Sequence, residues 1–244
     1  MTDLRCDTYG EGQPRKLLLV HGLFGQARNF GSLARRLAER FEVTVPDLRN
    51  HGRSPWSESH SYPDLAADLE PLAGGAVLGH SMGGKAAMWL ALTRPDAVER
   101  LIVADMAPVD YGGETHPMLE AMAALDPVQP SRAAARERLE APEELKDFLL
   151  QSLDLKAGRW LVNLETLRRE MPQIYGWPPI EMRYEGPALF LSGAESDYVR
   201  PGHHDEIRRL FPAAEFATIP GAGHFLHAEK PREFEVQVRA FLDA

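Results

Sequence analysis

The chain has 244 residues, 44% of them hydrophobic and 26% charged, with a formal net charge of −9. That length suits one sizeable α/β domain and does not force a second. No run approaches the roughly 18 apolar residues of a membrane-spanning helix. The acidic balance, without a long basic run, argues against nucleic acid or an anionic membrane surface as partner.

The opening residues, MTDLRCDTYGEGQP, contain no apolar segment of the kind a secretory signal requires. Cys6 is the single cysteine, so no internal disulfide can form, and a cytoplasmic location is expected. Cys6 falls in an early strand signal and reads as a small apolar residue.

Strand and helix signals then alternate. KLLLVHG (16–22) is a nearly continuous apolar run, as in a strand covered on both faces. NFGSLARRLAERF (29–41) places Phe30, Leu33, Leu37 and Phe41 at helical spacing. EVTVPDL (42–48) reads as a strand, PDLAADLEPLA (63–73) as a helix with Pro63 near its start, and GGAVLGH (74–80) as a strand. GGKAAMWLALTRP (83–95) reads as a helix and RLIVADM (100–106) as a strand. Further on, 187–194 and 214–220 are strand signals, and 205–211 and 231–244 are helical. Repeated β-then-α units predict a parallel sheet with helices on both faces. Residues 108–182 break the rhythm. They are helix-like and proline-interrupted, with no clear strand, and RAAARERLEAPEELK within them reads as a solvated helix face. The expected organisation is a core of 1–107 and 183–244 with a helical cap inserted at 108–182.

GHSMG (79–83) matches G-x-S-x-G. Alone such a match proves little, but it follows an apolar strand and opens a helix, which is the setting of a nucleophile elbow. Gly79 and Gly83 would leave room for neighbouring chain, and the helix N-terminus would place N–H groups near developing negative charge. Ser81 needs a base. His224, in the small-residue loop PGAGHFLHAEKP after a late strand, is the candidate, because sites in open parallel sheets gather at the carboxyl ends of the strands. His60 and His116 lie in loops, and His203 and His204 lack partners at metal-ligand spacing. His51 and His80 precede glycines in tight turns, and His227 reads as a packing residue. None is assigned to a metal.

Two backbone donors are needed for an oxyanion hole. The N–H of Met82 is one. The N–H of Leu23 in VHGLFG is the other, with Phe24 as fallback. His21, Gly22, Phe24 and His80 would then border the substrate pocket. For the carboxylate that orients the imidazole, Asp105 closes an apolar strand, where a charge needs a dedicated partner. Asp197 competes from a polar loop, and Glu195 is a remote third.

The segments VHGLFG, PDLRNHGRS, GHSMGGKA, DMAPVDY, SDYV and GAGHFLHAEKP, in this order, resemble the α/β-hydrolase superfamily over essentially the whole chain. DLRNHGRS with GHSMGGKAAM and APVDY is similar to the bacterial acyl-ester and thioester esterases related to abhydrolase-domain-containing protein eleven. The resemblance implies a mostly parallel sheet of about eight strands, a helical cap, a Ser–Asp–His triad and no cofactor. Ser81, His224 and the Met82 donor map directly. In the usual acid register after the penultimate strand stands Ser196, with Asp197 one place late. The subfamily pattern implies Asp105 instead. Arg49 and Asn50 match a loop that shapes the site, and are read as structural rather than as substrate contacts.

The expected activity is ester hydrolysis on small or acyl-chain esters, with thioesters included, through an acyl-enzyme on Ser81. Carbon–carbon bond hydrolases, lyases and cofactor-free haloperoxidases share the same three residue types, and a non-catalytic binding member is a remoter alternative. A dehalogenase would need aspartate at position 81. Oligomeric state has no sequence signal.

Overall fold

The computed structural model describes residues 2–244. The chain begins with strands β1 (Cys6–Tyr9) and β2 (Arg15–Val20), helix α1 (Gly31–Leu37), β3 (Phe41–Pro46), α2 (Tyr62–Leu69) and β4 (Gly75–His80). It continues through α3 (Met82–Thr93) and β5 (Val98–Ala104) into α4 (Pro117–Ala124), α5 (Arg132–Arg138) and α6 (Glu143–Leu150). A short antiparallel pair, β6 (Leu153–Asp154) with β7 (Arg159–Trp160), precedes α7 (Leu164–Tyr175). The last elements are β8 (Ala188–Gly193), α8 (His204–Leu210), β9 (Ala214–Ile219), α9 (Leu226–Glu229) and α10 (Pro231–Asp243).

Seven strands form one sheet in the order β1-β3-β2-β4-β5-β8-β9. Every pairing in it is parallel except that of the edge strand β1 with β3. The sheet thus has seven strands where about eight were expected. Among the described residues the antiparallel edge consists of β1 alone, with no further strand beyond it.

The near-continuous apolar runs have a direct cause. In β2, Leu18 and Val20 enter one hydrophobic cluster while Leu17 and Leu19 enter a second on the opposite face. β5 divides likewise, with Leu101 and Val103 on one side and Ile102 and Ala104 on the other. Side chains alternate across a strand, so a strand covered on both faces must be apolar at every position. Helices α1 and α10 cover the second face through Leu33, Leu37, Phe234 and Val238. α2 and α3 cover the first, and α3 is buried almost all round.

Between β4 and α3 the chain turns on one residue. Ser81 has φ +54° and ψ −124°, outside the regions that non-glycine residues ordinarily occupy. The bend brings chain onto both flanking glycines. A Cβ on Gly79 would stand 2.2 Å from the Gly83 carbonyl oxygen, and one on Gly83 would stand 2.4 Å from that of His21. Only glycine permits these approaches.

Residues 108–182 hold α4 to α7, together with the β6–β7 pair that had no strand signal. Two residues per strand are too few to show a period in sequence. The stretch is fastened to the core at Asn50. The Asn163 N–H donates to the Asn50 carbonyl at 2.9 Å, and Asn163 Nδ2 donates to Asn50 Oδ1 at 3.1 Å. Among the described residues, no helix is long and apolar enough to cross a membrane.

Gly83→Ala is expected to lower stability by about 1–3 kcal/mol, because the added methyl overlaps backbone that cannot move independently. A urea midpoint equal to that of the unsubstituted protein would show that the elbow can relax.

Candidate active site

The elbow presents Ser81 at the carboxyl end of the central strand. Its hydroxyl oxygen lies 2.9 Å from His224 Nε2, and His224 Nδ1 lies 2.7 Å from Asp105 Oδ2. His224 comes from the loop between β9 and α9. Asp105 is the residue after β5 and has φ +53°, with its N–H bonded to the Leu191 carbonyl at 2.8 Å. The structure therefore brings together Ser81, His224 and Asp105, residues far apart in the chain.

It does not bring in Asp197. That side chain is 90% exposed, and its nearest cation is Arg200 at 3.6 Å. Glu195 is likewise exposed. Asp105 is fully buried and its carboxylate is satisfied three times: by His224 Nδ1, by the Gly193 N–H at 3.2 Å, and by the Ser196 hydroxyl. Ser196, the residue standing in the usual acid register, thus hydrogen-bonds to the carboxylate supplied from elsewhere. Its sequence signal was that register. Tyr198, two residues on, stacks on the His224 ring with centroids 4.0 Å apart, a contact that no spacing rule indicates.

His21, Gly22, Leu23, Phe24, His80 and Met82 all line one cavity with Ser81 and His224, of about 1030 Å³. Met82 opens α3, so its N–H belongs to the first helical turn and has no intrahelical acceptor. The Leu23 N–H makes no hydrogen bond to another described residue, whereas the Phe24 N–H donates to His51 Nε2 at 3.2 Å. Leu23 and Met82 are therefore the two free amides, and the fallback at Phe24 is occupied. Phe24 has φ +63°. The opposite wall comes from α4, α6 and α7, including Met118, Phe148, Met171 and Ile174. Methionine side chains adapt to ligands of varied shape.

Buried histidines hold the two loops beside the elbow. His21 donates from Nδ1 to the Gly22 carbonyl and accepts the Leu48 N–H at Nε2, 3.0 Å away. His51 donates from Nδ1 to the Arg49 carbonyl while accepting from Phe24. His60 places Nε2 3.3 Å from Met82 Sδ, and His80 donates from Nε2 to the His224 carbonyl at 2.8 Å. Burial holds His51 down to about 3 and pushes His60 and His80 well below the ordinary imidazole value, so all three are neutral. In the sequence these histidines stand singly in turns or loops; their mutual placement is tertiary. Arg49 forms a buried two-bond pair with Asp68, Nε–Oδ2 2.6 Å and Nη2–Oδ1 2.9 Å, and lies outside the cavity wall.

The sequence matches the alpha/beta hydrolase family over residues 17–237. The chain is 41% identical to the mouse sn-1-specific diacylglycerol lipase ABHD11, covering 96% of this chain and 82% of that protein. It is 38% identical to Esterase YbfF of Escherichia coli K12, covering 93% of this chain and 92% of that one. Among solved structures, a marine microorganism esterase superposes with a TM-score of 0.93 at 34% identity, over 99% of this chain and 100% of that one. The chain belongs to the alpha/beta hydrolase family, and within it to the serine esterases.

Acid should unfold the protein through its neutral histidines. A histidine whose folded value is depressed binds fewer protons folded than unfolded. Its contribution is therefore undiminished above about pH 6.5 and falls below that, by about 1.4 kcal/mol per pH unit for each fully shifted ring, down to its folded value. Urea midpoints should accordingly drop between about pH 6.5 and pH 4 with net proton uptake on unfolding. Equal midpoints at pH 7.5 and pH 5 would mean that these rings are not held neutral.

Proposed function

We propose that Ser81 is the nucleophile of an ester hydrolase acting on small or chain-like acyl esters, thioesters included. His224 is its base and Asp105 the carboxylate that orients the base. The observation that carries this reading is the position of one imidazole, 2.9 Å from the serine oxygen on one nitrogen and 2.7 Å from a buried carboxylate on the other. A carboxylate on Nδ1 keeps the proton there and leaves the Nε2 lone pair facing the hydroxyl, as general-base catalysis requires.

The chemistry then runs in two halves. His224 Nε2 takes the hydroxyl proton as the serine oxygen attacks the acyl carbonyl. The N–H groups of Leu23 and Met82 stabilise the oxyanion, and the dipole of α3 adds to them. His224 returns the proton to the departing alcohol or thiol, leaving an acyl-enzyme. A water, deprotonated by the same nitrogen, releases the acid. The helical stretch 108–182 serves as a cap whose methionines and aromatics receive the acyl group. The volume of the cavity, about 1030 Å³, supports acyl chains longer than acetyl.

Three variants separate the roles. Ser81→Ala should abolish p-nitrophenyl ester turnover and labelling by a fluorophosphonate probe; full turnover would overturn the assignment. Asp105→Asn should lower kcat by about 10⁴-fold, because an amide allows the wrong imidazole tautomer. Asp197→Asn should leave kcat within about twofold, as expected of an exposed charge in a loop. A collapse of Asp197→Asn with Asp105→Asn intact would reverse the choice of acid. A chain-length series of p-nitrophenyl and coenzyme A esters reads the substrate range directly.

A further inference from the structure

Four residues past the nucleophile, α3 buries a lysine. Lys85 is 1% exposed, and its own N–H bonds to the Ser81 carbonyl at 3.1 Å. No carboxylate of the described residues forms an ion pair with it. Its ammonium instead donates to the carbonyls of Tyr175, at 2.6 Å, and Gly176, at 2.8 Å. Tyr175 is the last residue of α7 and Gly176 the extended residue after it, at the end where a helix leaves acceptors unsatisfied and presents the negative end of its dipole. The same nitrogen stands 4.8 Å from the centre of the Tyr111 ring and 5.6 Å from that of Tyr62.

The held end of α7 touches both halves of the site. Tyr175 stacks on His116, rings 12° apart, and His116 sets its edge on Phe24 beside the Leu23 amide. The Tyr175 carbonyl also accepts the Tyr111 N–H at 3.1 Å. The Tyr111 hydroxyl in turn donates to the carbonyl of Tyr198, whose ring lies on His224. Lys85, Tyr111, His116 and Tyr175 all line the cavity. An apolar side chain could fill the space under α7 at lower desolvation cost. A charged donor holds these carbonyls more strongly than a neutral one would.

We infer that Lys85 is a positioning residue: it straps the C-terminal end of α7 to the nucleophile helix and so sets how tightly the cavity grips an acyl chain. This rests on the esterase reading for its substrate, although the strap itself does not. Burial lowers the Lys85 ammonium to about 7, so the strap should weaken as pH rises through neutrality. Groups packed around it do not titrate there. Burial raises Tyr62 on α2, Tyr111 after β5 and Tyr175 on α7, and lowers His116 to about 4. Asp110, exposed on the surface, acts on it only through longer-range attraction.

The test is the ratio of kcat/KM for p-nitrophenyl octanoate over acetate, taken from about pH 5.5 to about pH 9. Any pH effect on the chemistry common to both esters cancels in the ratio. In the unsubstituted protein the ratio should fall through about pH 7. In Lys85→Met it should be lower by about fivefold and independent of pH, with KM for octanoate raised and kcat within about twofold. Lys85→Arg, which keeps the charge, should retain the higher ratio at alkaline pH. A flat ratio in the unsubstituted protein would overturn the inference, whether or not Lys85→Met folds. So would Lys85→Met with an unchanged ratio, or with both esters slowed equally. Hydrogen exchange of residues 172–178 gives a readout without turnover: protection at about pH 6 should be lost at about pH 8.5, after correction for intrinsic rates. Equal protection at both would also overturn it. Failure of the esterase reading would appear separately, as an unsubstituted protein that turns over neither ester.

Discussion

A carboxylate with no access to water anchors the centre of this molecule. Asp105 ends an apolar strand at zero exposure. Leaving such a charge unpaired costs several kcal/mol, roughly, even after relaxation. The chain answers with donors from three places: the ring of His224 after β9, the Gly193 amide at the end of β8, and the Ser196 hydroxyl beyond it. Meeting that one requirement aligns the ends of β5, β8 and β9. The same requirement turns the imidazole so that its other nitrogen faces Ser81.

Strain is concentrated in the same place. The four non-glycine residues with positive φ among those described are Phe24, Asn50, Ser81 and Asp105. Three line or form the catalytic constellation proposed here, and Asn50 ties the loop beside it to the helical stretch. Such conformations persist only where the surroundings over-determine them. Here the surroundings are the glycine contacts of the elbow and a set of neutral histidines, each donating from one nitrogen and accepting at or packing through the other. A neutral imidazole can do both, and burial keeps it neutral. The loops that carry the Leu23 and Met82 amides are therefore held by groups that remain uncharged near neutral pH.

Much of the scaffold was legible in the chain. The period-2 filling of two cores leaves continuous apolar runs such as LLLV, and the helices between them show their spacing. The elbow was legible because it needs glycine at fixed offsets. The β6–β7 pair was harder to read, since two residues per strand carry little periodicity. The residues favour Asp105, because a carboxylate closing an apolar strand needs a partner, but they leave Asp197 open as an alternative. Burial separates them: one is inside with three donors, the other is in water. Ser196 stands in the usual acid register, yet its bond to Asp105 spans 91 positions and has no local signature.

The sequence by itself determined the alternation of strands and helices, the sharp turn at Ser81 and the shortlist of chemical groups. Those follow from local rules of side-chain period, glycine freedom and residue chemistry. Only the tertiary structure decided which acid meets His224, which amide in VHGLFG is free, and what the buried Lys85 holds. Each of these depends on hydrogen-bond partners remote in the chain, and a donor of about 3 Å reach is assigned only once the packing that delivers its acceptor is complete.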